Sequence, residues 1–228
     1  MNIKKIVALI PMRHHSQRVP GKNYRPLAGK PLFFHILETI VSVPEIDQII
    51  IDTDSPTIQD YLKKDFSKVV VLNRPENLRA DDIPMNEILM YDTSQAPADL
   101  YLQTHSTNPF ISSQSILKAI GIMKKKYPSY DSLFSVTRIQ ARLWDELARP
   151  INHNPSILLQ TQDLPPVYEE NSCLYLFTRQ TLENRRTRIG ERPYLLEISE
   201  SESWDIDDEE DFAIAEMIMK QRLGDSLV

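Results

Sequence analysis

The chain has 228 residues, 41% of them hydrophobic and 25% charged, which is enough apolar side chain for one sizeable core without covalent staples. A net charge of −6 argues against partners gripped by their phosphate backbone, so nucleic acid is set aside. The single cysteine, Cys173, cannot form an internal disulfide and fits a cytoplasmic setting. The apolar run near the start is too short to cross a membrane and lacks a signal-peptide cleavage site.

Ile6 to Pro11 is a continuous apolar run, as expected of a strand buried on both faces. A polar loop follows to about Lys30. Pro31 then opens a helix in which Leu32, His35, Ile36 and Thr39 share helical spacing. Ile49–Ile51 reads as a second buried strand ending in Asp52-Thr53-Asp54, and Asp54 or Ser55 can cap a helix from Pro56. Val69–Leu72, Asp99–Gln103 and Ser132–Val136 read as further strands, with helices expected at Met85–Tyr91 and Ser112–Lys126. Strands alternating with helices predict an α/β domain with a largely parallel sheet, whose ligands bind beyond the strands' carboxyl ends. The alternation breaks from about Arg138 to Glu170. That stretch holds four prolines yet keeps Leu143, Trp144, Ile151 and Leu158, too apolar for a solvated linker. It reads as an arm that packs on the core or on a second subunit. Leu174–Phe177 returns to strand character, and a last helix is expected from about Asp208 to Leu223.

Three motifs fall where ligands bind. Arg13-His-His-Ser-Gln-Arg18-Val-Pro20-Gly21-Lys22-Asn23 follows the first strand and brings three cations to a glycine turn, a composition suited to an anion. Its spacing is not that of a P-loop, and a solvated basic loop is the plain alternative. In Asp205-Ile206-Asp207 two carboxylates flank an apolar residue. In extended chain they point the same way, which suits Mg²⁺. Acidic residues at a helix start are the alternative, and they account for Asp208, Glu209 and Glu210. Gln103-Thr104-His105-Ser106 follows a strand directly and can face a ligand or make a turn. His14 and His15 lack metal-ligand spacing and read as loop residues.

Taken together, the run from Ile10-Pro11-Met12-Arg13 through Pro20-Gly21-Lys22-Asn23 to Leu27-Ala28-Gly29-Lys30-Pro31-Leu32 resembles the N-terminal signature of the acylneuraminate (CMP-sialic acid synthetase) cytidylyltransferases. Matches continue in order at Asp52-Thr53-Asp54, Arg74-Pro75-Glu76-Asn77-Leu78, Leu102-Gln103-Thr104, Gln162-Asp163-Leu164-Pro165, Glu170-Asn171-Ser172 with Tyr175, and Asp205-Ile206-Asp207. The resemblance implies a single three-layer, Rossmann-like nucleotidyltransferase domain with a mostly parallel mixed sheet. It also implies CTP and an acidic sugar as substrates, Mg²⁺ as cofactor, and a homodimer formed through an arm at residues 138–170. By the same resemblance Arg13 and Lys22 meet the triphosphate, Asn23 and Arg74 hold the cytidine, and Gln103 and Asn171 meet the substrate. Asp205 and Asp207 carry the metal, and Asp207 takes part in the chemistry.

This sequence departs from the family pattern at three places. Thr161 stands where an arginine often precedes the Gln-Asp-Leu-Pro segment, Met85 where a small hydroxyl residue is common, and Ser172 where the glycine of Asn-Gly falls. These departures bear on the acceptor sugar. With Thr161 uncharged, Arg138, Arg142 and Arg149 of the arm become candidates to hold an acceptor carboxylate. Competing readings are the same fold acting on 3-deoxy-manno-octulosonic, legionaminic or pseudaminic acid, a non-catalytic nucleotide-binding relative, and a glycosyltransferase using Asp52-Thr53-Asp54 as its metal motif.

Overall fold

Ile6–Leu9 forms β1, and every one of its side chains is buried, the odd-numbered ones on one face of the sheet and the even-numbered ones on the other. The computed structural model to which it belongs describes residues 3–63, 66 and 68–225. Around β1 lie β4 (Gln48–Thr53) and β5 (Val69–Asn73) on one side, and β6 (Leu100–Gln103), β8 (Val167–Phe177), β7 (Ser132–Ile139) and β9 (Pro193–Glu197) on the other. The sheet order is β5-β4-β1-β6-β8-β7-β9. Only β8 runs against its neighbours, so the sheet is mixed but mostly parallel. A two-residue turn at Ala28 and Gly29, both with positive φ, joins the small antiparallel pair β2 (Pro26–Leu27) and β3 (Lys30–Pro31).

The helices make two outer layers. Helices α1 (Leu32–Val41), α2 (Pro56–Tyr61) and α4 (Ser113–Lys126) lay Phe33, Ile36, Ile40, Ile58, Ile116 and Ile120 on the face that carries Ile6, Ala8 and Ile49. Helices α3 (Met85–Gln95) and α5 (Arg179–Arg185) cover the other face, where Leu89 and Leu182 meet Val7, Leu9, Tyr101 and Phe177. Helix α6 (Glu209–Asp225) packs Phe212 and Ala215 against Val19, Leu27 and Ile206, outside the main sheet. This is the three-layer α/β arrangement expected from the sequence. Among the described residues no helix is long and apolar enough to cross a membrane.

The sequence pattern hid two elements. Strand β9 opens on a proline, which a strand's first position tolerates, and its partly exposed residues show no buried run. Helix α5 is seven residues long, too short to display a period. The interruption expected from Arg138 also begins later. Strand β7 continues to Ile139 and β8 begins at Val167, pairing Arg138 with Tyr168 and Ile139 with Val167 as a hairpin stem. Glu169 and Glu170 masked that strand because the stem is exposed on both faces. Between the strands, residues 140–166 hold only a 3-10 turn at Thr161–Asp163 and an isolated bridge between Trp144 and Pro150. Leu164 is buried, but most of the large apolar side chains of this arm stay in solvent: Leu147 is 65% exposed and Leu158 is 90% exposed.

Candidate active site

At the carboxyl ends of β1 and β6, a cavity of about 630 Å³ is bordered by Arg13, Arg18, Lys22, Asn23, Arg74, His105, Arg188, Asp205 and Asp207. A second cavity, about 740 Å³, lies at the base of the arm between Arg138, Gln140, Asn171 and Trp204. Ser172, Asp205 and Asp207 border both. Of the residues singled out by sequence, Arg13, Lys22, Asn23, Arg74, Asp205 and Asp207 therefore meet at one cavity, Asn171 faces the adjoining one, and Gln103 faces neither.

The loop after β1 is shaped by Gly21. Its φ is +67°, and a Cβ there would stand 2.7 Å from the Tyr24 ring. The turn engages the amides of Lys22, Tyr24 and Arg25 on Val19 and Gly21 carbonyls, while the amide of His14 donates to Asp54. Arg13, Arg18 and Lys22 of this loop bring positive charge to the cavity. Lys22 is buried, donates to the Ile206 carbonyl at 2.5 Å, and stands 3.9 Å from Asp207. Burial lowers its pKa, and Asp205 and Asp207 pull the other way. Arg18 pairs with Asp207 at 2.6 Å. Arg13 pairs with Asp81 at 2.7 Å, on a loop that also receives Gln17. Asn23 donates to the Arg13 carbonyl and accepts from Ser106, tying the loop to the end of β6.

The Asp-Ile-Asp segment behaves as alternation requires. Ile206 is fully buried and both aspartates border the cavities. The work of starting α6 falls to other acids: the Asp211 amide donates to Asp208 Oδ1, and the Asp208 amide donates back to Asp211 Oδ2, a reciprocal cap. Asp205 and Asp207 are not needed for that cap. Asp205 Oδ1 is buried without a hydrogen-bond partner, and burial raises its pKa. An orphaned carboxylate oxygen next to a second carboxylate fits Mg²⁺, which takes one or two carboxylates and fills its shell with phosphate oxygens and water. Among the described residues no group of three or more His, Cys, Asp or Glu side chains is arranged to hold a metal ion.

Beneath the cavity floor, Arg74 Nε donates to Asp52 Oδ2 at 3.0 Å and Nη2 to the Asp52 carbonyl, while Nη1 is buried and unpartnered. Asp92 is buried beside this pair without a partner for either oxygen, and burial together with the Asp52 charge pushes its pKa up to about 9. A proton on Asp92 shared with the equally orphaned Asp52 Oδ1 satisfies both groups. With Asp52 held by Arg74 and Asp54 by the His14 amide, Asp52-Thr53-Asp54 presents no free carboxylate pair to a ligand.

Gln103 is fully buried. Its Nε2 donates to the Thr104 carbonyl and His105 Nε2, and its Oε1 accepts from Arg188 at 2.5 Å. His105 therefore carries its proton on Nδ1 when neutral. Burial, Arg188 and Lys22 push its pKa down to about 3, so neutral it stays. Asn171 accepts from Ser135 and the Cys173 amide and donates to Thr137, bracing the register shift in β7. Ser172 adopts a φ of +57°, which explains why glycine suits that position. Arg18 and Arg188 were missed as site residues by sequence reasoning. Arg18 sat in the basic loop already noted, but Arg188 lies in a turn after α5 with no motif around it.

The cytidylyltransferase family model matches residues 7–222. The chain belongs to the cytidylyltransferase family. This cytidylyltransferase is 32% identical over 230 residues to CMP-N,N'-diacetyllegionaminic acid synthase of Legionella pneumophila, covering 95% of this chain and 97% of that one. It is 27% identical to the N-acylneuraminate cytidylyltransferase of Oncorhynchus mykiss over 93% of its own length and 50% of that protein's, so it spans about half of that relative. Among solved structures, CMP-2-keto-3-deoxy-manno-octonic acid synthetase complexed with CTP shares the fold, with a TM-score of 0.71 at 17% identity and coverage of 96% and 99% of the two chains.

Proposed function

We propose that this cytidylyltransferase joins CMP from CTP to the anomeric hydroxyl of a 2-keto sugar acid of the sialic-acid type and releases pyrophosphate. The observation that carries the reading is one cavity holding Arg13, Arg18 and Lys22 together with the Asp205–Asp207 pair. The hydroxyl oxygen forms a bond to the α-phosphorus as the bond to the β-phosphate oxygen breaks. Both reactants are anions, so charge must be offset before they can meet. Arg13, Arg18 and Lys22 bind the triphosphate, and Lys22, held rigidly by the Ile206 carbonyl, stabilises charge that develops on the leaving group. Mg²⁺, held by Asp205 and Asp207, supplies further neutralisation and alignment of the phosphates when bound. Asp207, placed where the two cavities meet, is the residue positioned to accept the hydroxyl proton. Arg74 and Asn23 shape the cytidine side of the cavity.

The exposed apolar arm supports a homodimer in which residues 140–166 are covered by a second subunit. The buried lone thiol, with a pKa raised by burial, leaves nothing in the fold dependent on an oxidising compartment, which supports a cytoplasmic setting. Near full-length likeness to the legionaminic acid enzyme makes N,N'-diacetyllegionaminic acid the first acceptor to try. The test is pyrophosphate release from a panel of nucleoside triphosphates against that acid, N-acetylneuraminic acid and 3-deoxy-manno-octulosonic acid. Release that requires CTP and one of the acids is expected. No release from any combination, with CTP still bound, would return the chain to a nucleotide-binding relative.

A further inference from the structure

Five lysine or arginine side chains border the 630 Å³ cavity, and four have a carboxylate partner: Arg13 on Asp81, Arg18 and Lys22 on Asp207, and Arg74 on Asp52. Arg188 is the exception. Among the described residues no carboxylate lies within ion-pair distance of it. It is half-buried, and that burial lowers its pKa. Two neutral groups hold it in place. Gln103 Oε1 accepts from Nη1, and the guanidinium lies 3.4 Å from the centre of the Tyr175 ring. Glu170, the nearby acid, is engaged by the Tyr175 hydroxyl. A desolvated cation without a counter-ion is unfavourable unless a ligand brings the missing charge.

We infer that Arg188 reads the carboxylate of the acceptor sugar. The inference rests on the cytidylyltransferase reading and deepens it. On that reading the three cations on the loop after β1 are taken up by the triphosphate, whereas Arg188 comes from another element and presents a planar fork that suits a carboxylate in bidentate geometry. Its neighbours on the cavity wall, Met85, Ile88, Ser172 and the neutral His105, offer apolar surface and hydroxyl contacts rather than further charge. Two of the three arm arginines are less suited to this role: Arg149 pairs with Asp145 in solvent, and Arg142 donates to the Leu159 carbonyl within the arm. Arg138 borders the other cavity, at the base of the arm, rather than the one that holds Lys22 and Arg188. Gln103 then acts as a positioning residue, since both ends of its amide are engaged in aiming Arg188 and His105.

The experiment compares wild type, Arg188→Gln and Arg188→Lys by initial rates with the three acids above and with the carboxamide of each, alongside calorimetric CTP binding and melting temperature. Wild type is expected to prefer acid over amide by about a hundredfold in kcat/KM, as a site built for a charged group rejects its neutral isostere. In Arg188→Gln that preference should collapse through a raised acid KM, with CTP affinity within about twofold of wild type, since the lost pair is a charge-assisted fork. Arg188→Lys should keep the charge but only part of the preference. An undiminished preference in Arg188→Gln, or a parallel fall in CTP affinity, overturns the inference. If Arg188→Gln does not fold, a wild-type preference in Arg188→Lys overturns it instead, and a reduced one supports it. Failure of the parent reading looks different: wild type itself releases no pyrophosphate with any acid.

Discussion

The carboxyl edge of the sheet and the arm use similar apolar side chains to opposite ends. In β1, β4 and β6 nearly every side chain is buried, and polar groups at or beyond the strand ends have named partners, as Asp52 has Arg74 and Ser106, just after β6, has Asn23 of the loop after β1. In the arm, Trp144, Leu147, Ile157 and Leu158 lie open to solvent on a backbone with little regular structure. The first region is complete within one chain, and its rigidity is what places charged groups accurately. The second leaves apolar surface in solvent, which the proposed homodimer would cover.

The largest expected effect breaks the complete region at its centre. Asp207→Asn keeps size while weakening a hard-cation ligand, so turnover should fall by about two orders of magnitude. The Mg²⁺ concentration giving half-activity should rise, and the melting temperature should hold within a few degrees because Asp208 and Asp211 cap α6. A Mg²⁺ titration beside a thermal melt checks this, and unchanged turnover with an unchanged midpoint would make the aspartate a bystander.

The arm offers the converse experiment. Leu147→Asp combined with Leu158→Asp should convert a dimer to a monomer at micromolar concentration, read by light scattering, with little loss of thermal stability. A charge placed in a buried apolar interface costs several kcal/mol unless it is paired, which is more than a small interface can absorb twice. A wild-type protein that scatters as a monomer would remove the contrast between the regions.

A subtler effect sharpens the account of the buried floor. A carboxyl with its folded pKa raised to about 9 stays protonated where the unfolded chain, near 3.9, has ionised. Its stabilising share is complete below about pH 4 and is lost progressively as pH rises toward about 9. Asp92→Asn, a neutral mimic of the protonated acid, should flatten that slope by one proton per molecule in melts taken across the range. A slope identical to wild type would place the proton elsewhere.

How much of this was legible in the sequence follows from which physical signal each part leaves. Buried parallel strands such as Ile6–Leu9 announce themselves as apolar runs, and Ile206 between two aspartates fixes side-chain direction by alternation alone. Helix α5 and strand β9 leave no such trace, being short or half-exposed. Arg188 was invisible for another reason. Its meaning lies in what it lacks, a carboxylate partner, and that can be judged only once the neighbours from β6 and β8 are assembled around it. Gln103, expected from the sequence to meet the substrate, faces neither cavity and takes its place in the same assembly behind Arg188 and His105.

The common wall of the two cavities has an entropic corollary. Ser172, Asp205 and Asp207 belong to both chambers, so a molecule spanning them touches in one piece what the two reactants touch separately. Such a molecule surrenders its translational freedom once, whereas two separate reactants surrender it twice. On the proposed reading the spanning molecule is the sugar nucleotide. It therefore surrenders that freedom once for contacts in both chambers.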